Sequence, residues 1–326
     1  MNDHLPSVTV LIAARPDQAE VRAAIAARTL DYPADRLEIL LARGQQPSAQ
    51  RNAGLRTARG DLVYFLDDDS VPEPGSLRRA AAHFADPRIQ MVGGPNLCPA
   101  DAPALEQVFA LVLASWLAFG PSRARYSRVG QARPSSEKEL ILCNLIARRE
   151  PLLELGGFNE ALYPNEENAL MDELQKRGGT LLYDPEIVVE RRPRSSLRAF
   201  AKMLRTYGRG RAEQFRECPT FGSAPNFVPP LFCLYLVALP FLVGLAPGRW
   251  FWTLPLALYG LTVLLQAAAL VPIGGLLRSA AAVPLVVLTH ILYGYGFWRG
   301  LFTRLKPPEQ RAPVPVVLER VESGSP

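Results

Sequence analysis

Between Cys218 and Trp298 the chain carries two charged side chains, Arg249 and Arg278. Charged residues make up 21% of the 326-residue sequence, so a window of that length would ordinarily hold about 17. An apolar block of this kind does not fit inside one water-soluble globule, because nearly uncharged twenty-residue stretches would need a very large core. The charges crowd into the remainder, at a density ordinary for a soluble domain. The sequence therefore reads as a soluble domain followed by a membrane half.

Within the block, residues 227–246, 250–271 and 280–302 are three apolar stretches of the length that crosses a hydrocarbon core as a helix. Trp250, Trp252 and Trp298 fall at interface depth. Pro229, Pro230 and Pro240 mark the first stretch as kinked or re-entrant. His290 is read as a satisfied structural histidine rather than a ligand. Ahead of the block, Arg198, Lys202, Arg205 and Arg209 recur on one helical sector, with Leu197, Phe200, Met203, Leu204 and Tyr207 roughly opposite. A basic amphipathic helix over 195–217 suits an interface with anionic lipid; a helix packed on its own domain is the alternative. The expected order is a cytosolic domain (1–194), the interfacial helix (195–217), about three transmembrane helices (218–305) and a flexible, Pro-rich tail (306–326). One conflict stands out. Three crossings put the C-terminus outside, whereas Arg299, Arg304, Lys306 and Arg311 favour the cytosol.

A hydrophobic content of 48% excludes a disordered or collagen-like chain. The net charge of +5 is unaccompanied by any finger, helix-turn-helix or RNA-binding signature. Beside an apolar block it points to an anionic membrane face, not nucleic acid. Cys98, Cys143, Cys218 and Cys233 are widely spaced without a CxxC pair and read as reduced thiols. No basic region precedes the apolar run 8–14, so no cleavable signal is expected and the first domain is placed in the cytosol.

That domain alternates strands at 7–14, 37–42, 61–66 and 89–93 with helices near 18–29, 48–58 and 74–85. The alternation implies βαβ units and an α/β, doubly wound, mostly parallel sheet. Ligands in such sheets bind beyond the carboxyl ends of the strands. The third strand runs directly into Asp67, Asp68 and Asp69. Adjacent acids raise one another's pKa and call for a cation. A divalent ion held by one or two carboxylates plus substrate phosphates fits Mg²⁺ or Mn²⁺, and a solvated acidic turn is the bland alternative.

Residues 50–74 (QRNAGLRTARGDLVYFLDDDSVPEP) resemble the nucleotide-sugar domain of family 2 glycosyltransferases, with an RN-x-G element followed by a strand ending in the DXD metal motif. Residues 156–178 (GGFNEALYPNEENALMDELQKRG) are similar to that family's GGFDE element and the acidic pair after it. Residues 184–211 (DPEIVVERRPRSSLRAFAKMLRTYGRGR) are similar to the segment joining catalytic domain to membrane helices in exopolysaccharide, succinoglycan-type members. The resemblance covers roughly residues 7–215, with the motifs in order. It implies a GT-A fold, a nucleotide-diphosphate sugar donor, a Mg²⁺ or Mn²⁺ cofactor and transfer with inversion.

The resemblance also assigns roles. Asp67 and Asp69 match the outer acids of the metal motif, Asp69 as direct ligand and Asp67 nearer the ribose or metal. Arg51 and Asn52 match the element flanking the nucleotide. Ala14, Arg15, Arg43, Asp68 and Gly94 complete the implied donor-binding set. Glu167 falls where the family keeps its catalytic acid, and Glu166 beside it stays open as the alternative. Arg191, Arg205, Arg209 and Arg211 are candidates for the acceptor or a pyrophosphate, with lipid headgroups as the other possibility for the helix residues.

Two features depart from the family. The turn Ala42-Arg43-Gly44-Gln45-Gln46-Pro47-Ser48 has no acid where the family usually carries an acidic turn contacting base or ribose. Glu190, Arg191 and Arg192 stand where many members place a histidine near the metal. The resulting expectation is an inverting transferase acting on a polyprenyl-linked glycan, or alternatively on polyprenyl phosphate directly. A non-catalytic scaffold or transporter with a degenerate transferase domain is the reading from another class. Intact acids at Asp69 and Glu167, and spans lacking charges, argue against it.

Overall fold

The computed structural model describes residues 5–162, 165–217, 219, 221–245, 249–304 and 315–321. The chain forms two compact units: Met1–Pro99, Ala124–Arg192 and Lys306–Pro326 in the first, Ala100–Arg123 and Pro193–Leu305 in the second.

The first unit opens with β1 (Val8–Ala14), α1 (Arg22–Ala27), β2 (Leu37–Arg43), α2 (Pro47–Thr57) and β3 (Leu62–Asp67). It continues through β4 (Val71–Pro72), α3 (Ser76–His83), β5 (Ile89–Gly93) and β6 (Asn96–Leu97). In the second unit, α4 (Ala104–Leu113) and α5 (Trp116–Phe119) follow. The chain then forms β7 (Arg133–Ser135), β8 (Leu145–Arg148), α6 (Arg149–Glu154), α7 (Glu166–Lys176), β9 (Thr180–Tyr183) and β10 (Val189–Glu190). Last come α8 (Leu197–Glu217), α9 (Val228–Leu245), α10 (Arg249–Phe302) and β11 (Val317–Val321).

The α/β reading holds, and helices and strands alternate as the sequence implies. The main sheet has the order β11-β2-β1-β3-β8-β5-β9-β7. It is mixed rather than mostly parallel: β1 pairs in parallel with β2 and β3, as β5 does with β9, and the other four pairings are antiparallel. The reversal centres on β8, which is reached through a long connection that includes α4, α5 and β7. Only a single crossover helix would have constrained it to run parallel. The strands are buried on both faces, so they read as continuous apolar runs. Val10, Ile12, Tyr64 and Leu66 pack on one face, and Leu11, Val63, Phe65 and Met91 on the other. A second, small sheet in the order β4-β10-β6 fastens the segment before Arg191 beside the turn that follows β3.

The tail expectation is corrected in part. Residues 317–321 form a strand antiparallel to β2, with Val316 and Leu318 packed on the core. Its register is reinforced by the pairs Arg43–Glu319 and Arg320–Glu38. The alternation in VVLERV suits an edge strand, and it covers a row of β2 backbone groups that would otherwise stand open. The rest of the expected tail lies almost wholly outside the described residues.

In the second unit, α10 is broken at Gly275, whose φ of 77° is available to glycine at little cost. Tyr259 Oη and His290 Nδ1 stand 2.7 Å apart, although thirty-one residues of continuous helix would separate them by about 46 Å. The two arms of α10 therefore lie back along one another. The opposite ring nitrogen of His290 donates to the Leu117 carbonyl at 2.9 Å, which leaves Nδ1 to accept from Tyr259. The structural reading of His290 is thus the one observed. Gln266 Oε1 accepts from the Leu117 N–H at 3.0 Å, so both apolar-helix polar groups serve α5.

Among the described residues two helices, Ser223–Gly244 and Trp250–Phe302, are long and apolar enough to cross a membrane. The stretches 250–271 and 280–302 fall on the two arms of the second. The bent pair Ala104–Leu113 and Trp116–Arg125, passed over in the sequence reading, meets the same test together. Along α8, Arg198, Lys202 and Arg205 are exposed and Phe200 and Leu204 buried, as an amphipathic helix requires; Leu197 is exposed, against expectation. The buried face packs closely on the second arm of α10, where Gly208 lies against the Tyr293 backbone and Gly296 and Gly300 against the backbone of Arg205 and Arg209. Small residues permit that approach between helices.

Candidate active site

The site lies at the carboxyl end of β3, as the sheet rule requires. Asp67 is the last residue of that buried strand, so its backbone is fixed and its carboxylate emerges into the turn. Arg51 projects from α2, a helix whose start is satisfied by the Gln46 side chain accepting from the Ala49 N–H. Its guanidinium donates from Nη2 to Asp67 Oδ1 at 2.8 Å and from Nη1 to Glu166 Oε1 at 3.1 Å. Arg191, just past β10, adds Nη1 to Asp67 Oδ2 at 2.9 Å and Nε to Asp69 Oδ1. Two guanidiniums thus gather Asp67, Asp69 and Glu166, which come from segments a hundred residues apart.

The electrostatics follow from burial and crowding. Burial first, and then the charges of Asp69 and Asp67, push the Asp68 carboxyl above its usual range. Glu166 opens α7 and is 2% exposed. Burial, reinforced by the neighbouring Glu167, raises it to about 7 against the pull of Arg51 and nearby backbone N–H groups. One of those, from Asn165, reaches Glu166 Oε2 at 3.0 Å. Asn165 itself sits at φ 112°, a positive value that a non-glycine residue adopts only where its surroundings enforce it. Glu167 is half-buried. Of the acidic pair, Glu166 is committed inward and Glu167 is the more accessible.

The other implied donor residues divide by what they touch. Asn52 is buried with its amide engaged: it accepts from the Phe158 N–H at 2.8 Å and donates to the Phe158 carbonyl at 2.9 Å and Glu160 at 3.0 Å. It ties α2 to the GGF segment rather than facing an open pocket. Gly94 is a crossing point, since a Cβ there would strike the backbone of Ile187 and Asp184. Ala14 is buried at the end of β1, and its carbonyl accepts from Gln50 Nε2 at 2.7 Å. Arg15 is exposed in the loop that follows. Arg43 ends β2 and pairs with Glu319. Arg205, Arg209 and Arg211 lie on α8 in the second unit, where Arg209 pairs with Glu213 at 3.3 Å and Arg211 bonds Gln214 at 3.1 Å.

Sequence reading missed three buried polar residues that hold this frame. Gln50 also donates to the Ala42 carbonyl at 2.6 Å, locking the ends of β1 and β2 together. Asn144 accepts from Tyr64 at 2.9 Å and donates to the carbonyls of Pro95 and Ile187. Asp184 is fully buried and meets Arg79 and His83 at 2.7 Å each. Gln50, immediately before Arg51 and Asn52, and Asp184, at the head of the third motif, had local signals; Asn144 had none.

Among the described residues no three His, Cys, Asp or Glu side chains converge as a cage. Asp67 and Asp69 offer hard carboxylate oxygens at a solvent-accessible turn, 24% and 43% exposed. Asp68 beside them is raised by burial first and then by the charges of Asp69 and Asp67, so negative charge is crowded at this turn. Such a pair fits an ion of the Mg²⁺ or Mn²⁺ kind that completes its shell with water and substrate phosphates.

Residues 1–209 match the family model described as glycosyltransferase like family 2. The chain belongs to that family. It is 28% identical over 165 residues to the pre-mycofactocin glycosyltransferase of Mycobacterium tuberculosis, a match covering 50% of this chain and 33% of that protein. An uncharacterized protein of the same species is 26% identical over 194 residues, covering 56% of this chain and 57% of that one. The chain thus spans about a third of the first relative and somewhat over half of the second. Among solved structures, the mannosyltransferase PcManGT from Pyrobaculum calidifontis, determined with GDP-Man and Mn²⁺, superposes with a TM-score of 0.57 at 17% identity. That match covers 92% of this chain and 88% of the archaeal one, and it places the family 2 domain in the GT-A-like fold.

Proposed function

We propose that the protein is a membrane-attached inverting glycosyltransferase using a nucleotide-diphosphate sugar and Mg²⁺ or Mn²⁺. The observation that carries this is the junction of Arg51, Asp67 and Glu166, which joins both acidic motifs in one cluster. The family membership and the archaeal relative's GDP-Man and Mn²⁺ support the donor class and the metal.

Asp69 and Asp67 would hold the metal, which when bound would supply stabilisation of negative charge on the departing diphosphate. Arg191 sits beside both acids, with a guanidinium able to pair with phosphate oxygens. Glu167 is the general base: it accepts the acceptor hydroxyl's proton as that oxygen attacks the anomeric carbon. One new carbon–oxygen bond forms, the bond to the diphosphate breaks on the opposite side, and the configuration inverts. Glu166 holds Arg51, and through it Asp67, and is itself too buried to meet an acceptor.

The acceptor is a lipid-linked, polyprenyl-borne glycan of the kind used in exopolysaccharide synthesis. The apolar helices and the exposed basic face of α8 favour a substrate at an anionic membrane surface. The test is sugar transfer or donor hydrolysis over a panel of nucleotide sugars, comparing wild type with Asp69→Ala and Glu167→Gln. Both variants should be inactive with donor binding retained in Glu167→Gln; full activity in both would overturn the assignment.

A further inference from the structure

The far end of the chain returns to the donor side of the sheet. β11 runs antiparallel to β2 with Val317 opposite Arg43 and Val321 opposite Ile39. Glu319 sets both carboxylate oxygens on Arg43 Nε, at 2.9 and 3.0 Å. Arg43 turns another donor inward: its Nη1 donates to the carbonyls of Gln18 at 2.7 Å and Arg15 at 3.3 Å. Those carbonyls belong to the loop leaving β1. The loop leaves β1 beside the acidic turn, since Ala13 is in register with Asp67, and its root is held by Gln50 on the Ala14 carbonyl. A chain of contacts therefore runs from Glu319 through Arg43 to residues 15–18, at the same end of the sheet as the acidic cluster.

The turn after β2 carries no acid of its own. The carboxylate on Arg43 is supplied instead by a strand nearly three hundred residues later. We infer that β11 is part of the donor site: Glu319, acting through Arg43, is a positioning residue that sets the loop 15–18 on which the donor's nucleoside rests. The inference rests on the nucleotide-sugar reading above. The pair is partly solvated, with side chains 18% and 45% exposed, and contributes little to stability. Its effect is geometric. A guanidinium is a planar fork, so fixing Nε fixes where Nη1 points. Arg320–Glu38, at 2.8 Å on the same strand, is an ion pair of similar exposure that does not lead to the loop.

The full-length protein in detergent or nanodiscs tests this with Glu319→Gln, Glu319→Asp and the control Arg320→Gln. Hydrogen exchange on the ligand-free protein should show amides of residues 15–20 exchanging faster in Glu319→Gln and unchanged in Arg320→Gln. Donor KM, and the Kd for UDP or GDP, whichever binds, should rise about fivefold in Glu319→Gln. Turnover at saturating donor should stay within about twofold, and Glu319→Asp should recover part of the affinity. Unchanged loop exchange in Glu319→Gln overturns the link from β11 to the loop. Faster exchange with unaltered donor KM overturns its role in the donor site. If wild type binds neither nucleotide, the nucleotide-sugar reading fails and takes the donor role with it, while the exchange data still judge the link.

Discussion

Arg51 and Glu166 meet at 3.1 Å with side chains only 7% and 2% exposed. The same guanidinium reaches Asp67 at 2.8 Å, so one buried cation balances an acid from each of the two motifs. Removing one partner of a buried pair strands the other, which costs more than the pair contributes. Arg51→Met should destabilise the domain by about 3–5 kcal/mol near neutral pH. Arg51→Lys, which keeps the charge but loses the fork, should cost less than half of that. Thermal unfolding in detergent, read on the purified full-length variants, checks the order wild type, lysine, methionine.

Glu166 gives that comparison a pH dependence. Its folded-state carboxyl lies near 7, raised by burial and then by Glu167, against 4.5 in an open chain. Between those values the folded protein keeps a proton that the unfolded chain has released. This contribution to stability is fully present below about 4.5 and is lost as pH rises through about 7. Wild type should therefore lose stability over that window relative to Glu166→Gln, whose side chain does not titrate. Parallel curves for the two proteins between pH 4.5 and 7.5 would contradict the assignment.

How far the sequence could be read follows from the range of its signals. The strand ending in Asp67 and the helix opening at Glu166 announce themselves locally, through apolar runs and acidic pairs, and the structure has both. What pairs with what is set by three-dimensional return paths. Arg51 reads as an arginine flanking the nucleotide until α7 brings Glu166 to it. Asn52 carries a motif position but spends its amide on Phe158, which no local pattern reveals. The reversal of β8 and the capture of residues 317–321 by β2 are likewise long-range events. The Pro-rich composition around that strand masked a short alternation that matters only once an open edge is available.

Gly157 bears directly on that hidden contact. Its φ is 81°, and a Cβ there would fall on Asn52 Oδ1, the atom that accepts from Phe158. Gly157→Ala must both strain the backbone and displace the amide that ties α2 to the segment leading to Glu166. A loss of about 2–4 kcal/mol is expected from strain plus a broken buried hydrogen bond. Gly156→Ala, also at positive φ but with open space around it, should show only the backbone strain. The difference in unfolding temperature between the two alanine variants isolates the Asn52 contact.

Metal dependence should separate Asp69 from its neighbours. Chelation with EDTA is expected to abolish transfer, with Mg²⁺ or Mn²⁺ restoring it. Asp69→Asn should lower turnover at least about a hundredfold, the scale of losing metal stabilisation of the leaving group. Because Asp69 is 43% exposed and off the strand, its variant should unfold within about 0.5 kcal/mol of wild type. Isothermal titration of Mn²⁺ with nucleoside diphosphate present gives a readout independent of turnover. Unaltered Mn²⁺ affinity in Asp69→Asn would remove it from the ligand set.

The strand β11 also constrains the membrane half. It is hydrogen-bonded into the sheet that contains β1, so the chain leaves the first unit after Arg192 and must come back to the same side of any membrane. The number of full crossings between those points is therefore even, and three full crossings by the stretches 227–246, 250–271 and 280–302 are incompatible with this sheet. The two arms of α10, folded at Gly275, form an out-and-back pair. An even count then leaves the proline-bearing α9, itself long and apolar enough to cross, as the element expected not to do so. An even count is also what the positive-inside rule expects from the basic residues Arg299, Arg304, Lys306 and Arg311 in the sequence. Reporters fused ahead of β1 and after residue 326 should give the same sidedness, and a cysteine at Gly275 should be labelled only from the opposite face.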